Sequence, residues 1–220
     1  MNARPVARGA AAALVLFSAG VALLLTSQQG PFDASTFAFQ QYREYSGSIT
    51  LWPAPTLLTK DGPFLLTRPG KFGATAWVQS WDGQPVRMRG ALIASSGDRM
   101  LEIEPGSIER GDAAVPLEPE TSLGTVELSG EIADGKCYLG VMNPGRGKVH
   151  RDCAVRCLSG GAPPVFLARD AGGRLRALLL AGLGRELLGY VAEPVRLRGE
   201  LRQRGSQLIF IADRASLRRE

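Results

Sequence analysis

Apolar and polar positions change rhythm along the chain. From Gly9 to Thr26, "GAAAALVLFSAGVALLLT", eighteen residues pass without a charge. At 1.5 Å per residue, a helix of that length just crosses ~30 Å of hydrocarbon. The run exceeds the ~7–15-residue core of a secretory signal, and "LLLTSQQG" offers no small-x-small cleavage site. An uncleaved transmembrane anchor over residues 9–27 is therefore expected, with a cleaved signal peptide as its competitor. Further on the period falls to two. In "VRMRGALI" and "VRLRGEL" apolar and basic residues alternate, which turns Val86, Met88, Val195 and Leu197 toward a core and the arginines toward water. Gly90 and Gly199 interrupt these strands where a bulge or sharp bend is expected. "RMLEIEP" and "SQLIFIAD" read as strands after turns, "RLRALLL" as another, and "GRELLGYVAEP" as a short helix closed by Pro194.

The pattern occurs twice. "SGSI" at Ser46–Ile49 recurs as "SGEI" at Ser129–Ile132, "PFLLTR" at Pro63–Arg68 as "PVFLAR" at Pro164–Arg169, and "PVRMRGAL" at Pro85–Leu92 as "PVRLRGEL" at Pro194–Leu201. The same order in both copies indicates an internal repeat. Five strands per copy, with a helix between the third and fourth, is the layout of the OB-fold, a small Greek-key barrel. The expected architecture is mainly β: a transmembrane helix, then two OB-like five-stranded barrel modules in tandem, with a sandwich as the alternative. Residues 1–8 form a basic cytoplasmic end, 9–27 the anchor and 28–44 a tether. The tether's Phe32, Phe37, Phe39 and Tyr42 pack on the domain or rest at the membrane interface. Residues 45–127 make the first module and 128–220 the second.

Charge changes this picture modestly. Net charge is +5, but residues 30–129 carry −4 and residues 130–220 carry +7. A solvated basic face is the plainer reading; contact between the halves, with anionic headgroups or with an acidic partner is the alternative. Arg4 and Arg8 precede the span and the next basic residue is Arg43, which places the N-terminus in the cytoplasm and the modules outside it. That location argues against a nucleic-acid partner. "GRGK" at 145–148 lacks the spacing of a phosphate loop. Glu102 and Glu104 read as a solvated pair, and Trp52, Trp77 and Trp81 as core or rim aromatics.

The chemistry concentrates in one place. All three cysteines and the only histidine lie between Cys137 and Cys157. From "SG" to the proline opening the next strand is 17 residues in the first copy and 35 in the second, and the extra length, an insertion over 135–163, holds this cluster. A barrel written once without these residues does not need them to fold, which points to a local task. "HRDCAVRC" as a helix sets His150, Cys153 and Cys157 on one face, Gly160 and Gly161 stop it, and "YLGVMNPGRGKV" returns Cys137 to that face. Three thiolates and an imidazole make a tetrahedral set for zinc, or a soft set for copper or iron. A disulfide from Cys137 to Cys153 or Cys157, leaving one spare thiol, is the structural alternative outside the cytoplasm. A thiol oxidoreductase using Cys153 or Cys157 is the third, with Lys148, Arg151 and Arg156 depressing a thiolate pKa or contacting an anion or partner.

The 37-residue block "GEIADGKCYLGVMNPGRGKVHRDCAVRCLSGGAPPVF" resembles one found in a group of bacterial membrane-anchored envelope proteins with an OB-like fold, in which Cys-Tyr, His-x-x-Cys-Ala-x-x-Cys and Gly-Gly-x-Pro-Pro follow one another. The resemblance does not reach the first module. It implies a bacterial envelope protein, with Cys137, His150, Cys153 and Cys157 as the residues to carry over. It brings no activity with it. The leading expectation is a non-enzymatic accessory protein, single-pass in the bacterial cytoplasmic membrane with its modules on the periplasmic side, whose Cys/His insertion binds a metal ion or docks on a membrane redox complex or other envelope protein partner.

Overall fold

The computed structural model describes residues 3–29, 34–112 and 114–220, with backbone alone over residues 3–7. The chain divides into an N-terminal helix and a β unit that begins at Ala34. The helix, α1 (Ala3–Ser27), contains a 20-residue stretch, Arg8–Ser27, with a mean hydropathy of 2.2 and no buried residue. It is long and apolar enough to span a membrane, a composition that a signal sequence shares. Its polar end is internally satisfied: the Thr26 and Ser27 hydroxyls donate to the carbonyls of Ala22 and Leu24.

The β unit contains β1 (Ser35–Phe37), β2 (Arg43–Thr50), β3 (Thr56–Thr59), β4 (Gly62–Thr67), β5 (Pro85–Ser95), β6 (Asp98–Ile103), β7 (Glu109–Arg110), β8 (Thr121–Asp134), β9 (Pro164–Arg169), β10 (Leu175–Ala181), β11 (Pro194–Arg204), β12 (Gln207–Ala212) and β13 (Arg218–Arg219). Two short α-helices accompany them, α2 (Thr75–Val78) and α3 (Arg151–Ser159). In the first sheet β2, β3, β4, β6 and β5 close into a five-stranded barrel, antiparallel except for β4 beside β6, and β1 and β7 add to β5. The barrel closes because β5 turns a corner at Gly90, which faces Arg43 of β2 and Ile103 of β6. A Cβ there would lie 3.1 Å from that of Leu101, tighter than ordinary contact, so the bend leaves little room for a side chain. No register shift accompanies it: the bend is found and the bulge is not.

The second sheet runs β12-β10-β9-β8-β11-β13, with β11 also paired to β12 and β10 parallel to β12. Gly199 sits where β11 passes from β8 to β12, and a Cβ there would meet the Ile211 carbonyl oxygen at 2.4 Å. The one irregularity in β11 lies farther on, between Leu201 and Arg202. Between β10 and β11 the expected short helix is a 3-10 segment, Arg185–Tyr190, as suits six residues with a glycine near each end.

Each sheet encloses its own core, the first around Leu57, Leu66, Met88 and Leu101, the second around Phe166, Leu197 and Phe210. Trp77 and Trp81 pack at the margin of the first core, whereas Trp52 is exposed and donates its indole N–H to Glu120. A third core lies between the sheets: Leu65, Ile93 and Met100 from the first meet Leu139, Val165, Leu167, Leu179 and Ile209 from the second. That seam explains why "PVFLA" is apolar throughout: Phe166 faces the core of its own sheet, and Val165 and Leu167 face the neighbour. Part of the expected tether belongs to this unit, since β1 pairs with β5 and Phe37 packs on the seam, while Phe39 is exposed. Phe32 lies outside the described residues. Ion pairs join the acidic and basic halves at Glu120–Arg202, Glu120–Arg204 and Glu102–Lys136.

Candidate metal centre

Past Asp134 at the end of β8, the chain forms a π-helical turn (Cys137–Val141), a loop, a 3-10 turn (Lys148–His150) and α3 before β9 begins. Asp134, fully buried, ties both ends of this excursion together. Its Oδ1 accepts the Cys137 backbone N–H at 2.8 Å, and its Oδ2 lies 3.2 Å from His150 Nε2. A buried carboxylate is tolerated only with such partners. α3 then carries Cys153 and Cys157, one helical turn apart, back over Cys137.

The three sulfurs lie within 4.8 Å of one another, with Cys137 Sγ and Cys153 Sγ 3.9 Å apart. All three are free thiols. Zinc bound tetrahedrally at ~2.3 Å to sulfur holds its thiolates ~3.8 Å apart, so the triad has the spacing of a thiolate metal site. A second triad, Asp134, Cys137 and His150, meets the same 4.8 Å limit and shares Cys137. The structure thus gathers all four expected residues but not into one tetrahedron. His150 stands before α3, not within it, and approaches the cysteines through Asp134.

The positive charge comes from elsewhere than the sequence suggests. Lys71, on the loop after β4, donates from Nζ to Cys153 Sγ at 2.7 Å and to Cys157 Sγ at 3.8 Å. Of the expected cations, Arg151 is engaged with Glu193 at 2.5 Å, and Lys148 and Arg156 are exposed. Arg151 and Arg156 project away because α3 turns its cysteine face inward, and Lys148, in the 3-10 turn before it, is exposed as well. The loop bearing Lys71 is pinned on the other side by Lys136, which donates to the carbonyls of Arg68 and Gly70 at 2.8 and 2.7 Å and pairs with Glu102 Oε2 at 2.7 Å. Lys136 and Glu102 are 3% and 4% exposed, so Glu102 is a buried ion-pair partner rather than a solvated carboxylate. The reason is that its side of β6 is covered by the segment after β8.

Close backbone approach completes the joint. The Gly73 N–H donates to the Gly160 carbonyl at 2.9 Å, and a Cβ at Gly160 would stand 1.9 Å from the Lys71 carbonyl oxygen. Gly161, with φ +90°, supplies the left-handed residue that ends α3.

The electrostatics are those of a shared proton. Cys137, buried, donates toward Cys157, and that hydrogen bond, aided by the Lys71 charge, lowers the Cys157 pKa from 9.0 to about 7 against the opposing effect of burial. The same bond, with burial and the nearby Asp134 charge, pushes the Cys137 thiol up. The hydrogen bond to Cys153 raises Lys71 above its ordinary value, so the amine is an ammonium. Such a group can hold a thiophilic cation or present a thiolate. Sequence reading missed Lys71, Asp134, Lys136 and Glu102; of these only Asp134 had a local signal, as the acidic residue three before Cys137.

Comparison of the chain with known protein families, with curated proteins and with solved structures returned no match.

Proposed function

We propose that the chain is a membrane-anchored accessory protein of the bacterial envelope, non-enzymatic, that binds one thiophilic metal ion through Cys137, Cys153 and Cys157. Three sulfurs from two segments converging within 4.8 Å is the observation that carries this reading. Asp134 orients Cys137 and His150 orients Asp134, the kind of supporting contacts on which metal ligands depend. Zinc, copper(I) and iron all suit such a donor set. The ion would compensate thiolate charge in a pocket where Cys137 and Cys157 are closed to water. We read the two sheets as tandem OB-like modules, supported by strand pairings that follow the same path in each and by glycine corners at Gly90 and Gly199. α1 serves as the anchor, the modules lie on the periplasmic side, and the partner is an envelope protein.

The test is metal analysis with a thiol count on the full chain, purified in detergent without chelator. About one metal per chain, lost in Cys153→Ala, is the expected result. A second reading, a thiol oxidoreductase, is favoured by the Cys157 pKa of about 7. It requires metal-free protein whose thiolate ultraviolet absorbance rises through a midpoint near that pH and is lost in Cys157→Ser, and that outcome would replace the metal-binding reading.

A further inference from the structure

The 2.7 Å between Lys71 Nζ and Cys153 Sγ is short for a contact to sulfur. Ordinary N–H···O bonds span ~2.7–3.2 Å, and the larger radius of sulfur moves N–H···S contacts outward. The same ammonium supplies an internal comparison, since its contact with Cys157 Sγ is 3.8 Å. The shorter separation matches an amine nitrogen and a sulfur joined through a single oxygen atom. We propose that Lys71 and Cys153 form a covalent, reversible N–O–S cross-link, with dioxygen as the oxidant.

Placement supports the assignment. Both partners are held by contacts besides their own: the Lys71 loop by Lys136 on the carbonyls of Arg68 and Gly70 and by the Gly73–Gly160 hydrogen bond to the end of α3, and Cys153 by α3 itself. The bridge therefore closes with no backbone movement. Cys153 and Lys71 are both half-buried, within reach of a small oxidant, whereas Cys137 and Cys157 are buried. Among the three thiols, the accessible one is the one against the amine.

The reaction balances with one dioxygen. The Cys153 S–H bond, one Lys71 N–H bond and the O–O bond break, and S–O and O–N bonds form. One oxygen atom remains in the bridge and the other leaves as water with the two hydrogens. Sulfur and nitrogen each give up two electrons, and dioxygen accepts four. A thiol reductant supplying four electrons and four protons restores the thiol and the amine and releases the bridging oxygen as a second water. The bridge ties α3 to the loop after β4, 82 residues away in sequence. It also removes Cys153 as a thiolate, so bridge and triad-bound metal exclude one another; the assignment of the bridge does not depend on the metal.

The test is peptide mass spectrometry on the full chain, held in detergent in air-equilibrated, chelator-treated buffer and digested with trypsin before and after excess dithiothreitol. The expected species joins the Lys71 and Cys153 peptides, is heavier than their sum by one oxygen and lighter by two hydrogens, escapes cleavage after Lys71, and vanishes on reduction. Lys71→Arg and Cys153→Ser abolish it; Cys157→Ser, which removes a metal ligand, retains it. Recovery of Lys71 as free amine and Cys153 as free thiol after air exposure would overturn the proposal. So would a Cys137–Cys153 disulfide in its place, or a Lys71–Cys153 link without the added oxygen. Metal content is read on a separate sample, so failure of the metal site and failure of the bridge are distinguishable.

Discussion

Lys136 and Glu102 set the terms at the scale of single residues. Each is nearly inaccessible, and each neutralises the other across the seam. Removing one member of a buried pair strands the other, at a cost of about 3–5 kcal/mol. Lys136→Met is therefore expected to destabilise the protein by that amount in a thermal or denaturant melt. Adding Glu102→Leu should recover part of the loss, because the carbonyls of Arg68 and Gly70 still lack their donor, at about 1–3 kcal/mol for unmet buried polar groups. Full recovery would mean that those carbonyls reach water. Residues of this kind were illegible in the sequence for a definite reason. The alternation in "PVRMRGAL" reports which face of a strand meets its own core, and Val86 and Met88 are indeed buried with Arg87 and Arg89 outward. It does not report that the segment after β8 covers the outer side of the neighbouring strand β6, which is what buries Glu102 between Leu101 and Ile103.

Elements inherit their positions from such contacts, and α3 is the clearest case. Its cysteine spacing and its glycine stop were readable, because a helical face and a left-handed terminator both leave local marks. Its partner was not, since Lys71 lies far away in sequence and nothing near it suggests sulfur. Nor did spacing alone reveal that His150 sits in a preceding 3-10 turn and faces Asp134. The end of α3 rests on the loop after β4 with no room for a side chain, so Gly160→Ala drives a methyl against the Lys71 carbonyl. The expected cost is about 1–3 kcal/mol, as for overpacking elsewhere. Cys157 should then become accessible to alkylation in the native protein while the two cores keep their protection from hydrogen exchange. Loss of protection throughout both sheets would show instead that this joint holds more than the helix.

The whole β unit is organised by its third core. Leu65, Ile93 and Met100 on one side and Leu139, Val165, Leu167, Leu179 and Ile209 on the other are shared, so neither sheet can open without exposing apolar surface of its neighbour. Full-length protein in detergent should therefore melt in a single transition, with calorimetric and van't Hoff enthalpies in agreement; two resolved transitions would show that the seam is weak. Two runs of strands and an apolar leader were legible at this scale, because repeated segments and an uncharged stretch need no tertiary information. That the Cys/His segment would be walled in by the first sheet was not, since a seam is a property of two surfaces and the pattern along one strand describes only one. The site consequently has one open edge, at half-buried Cys153 beside Lys71. Anything the triad holds enters and leaves by that edge, so an obstruction there slows capture and release by the same factor. Occupancy at equilibrium would stay unchanged while the time needed to reach it lengthened.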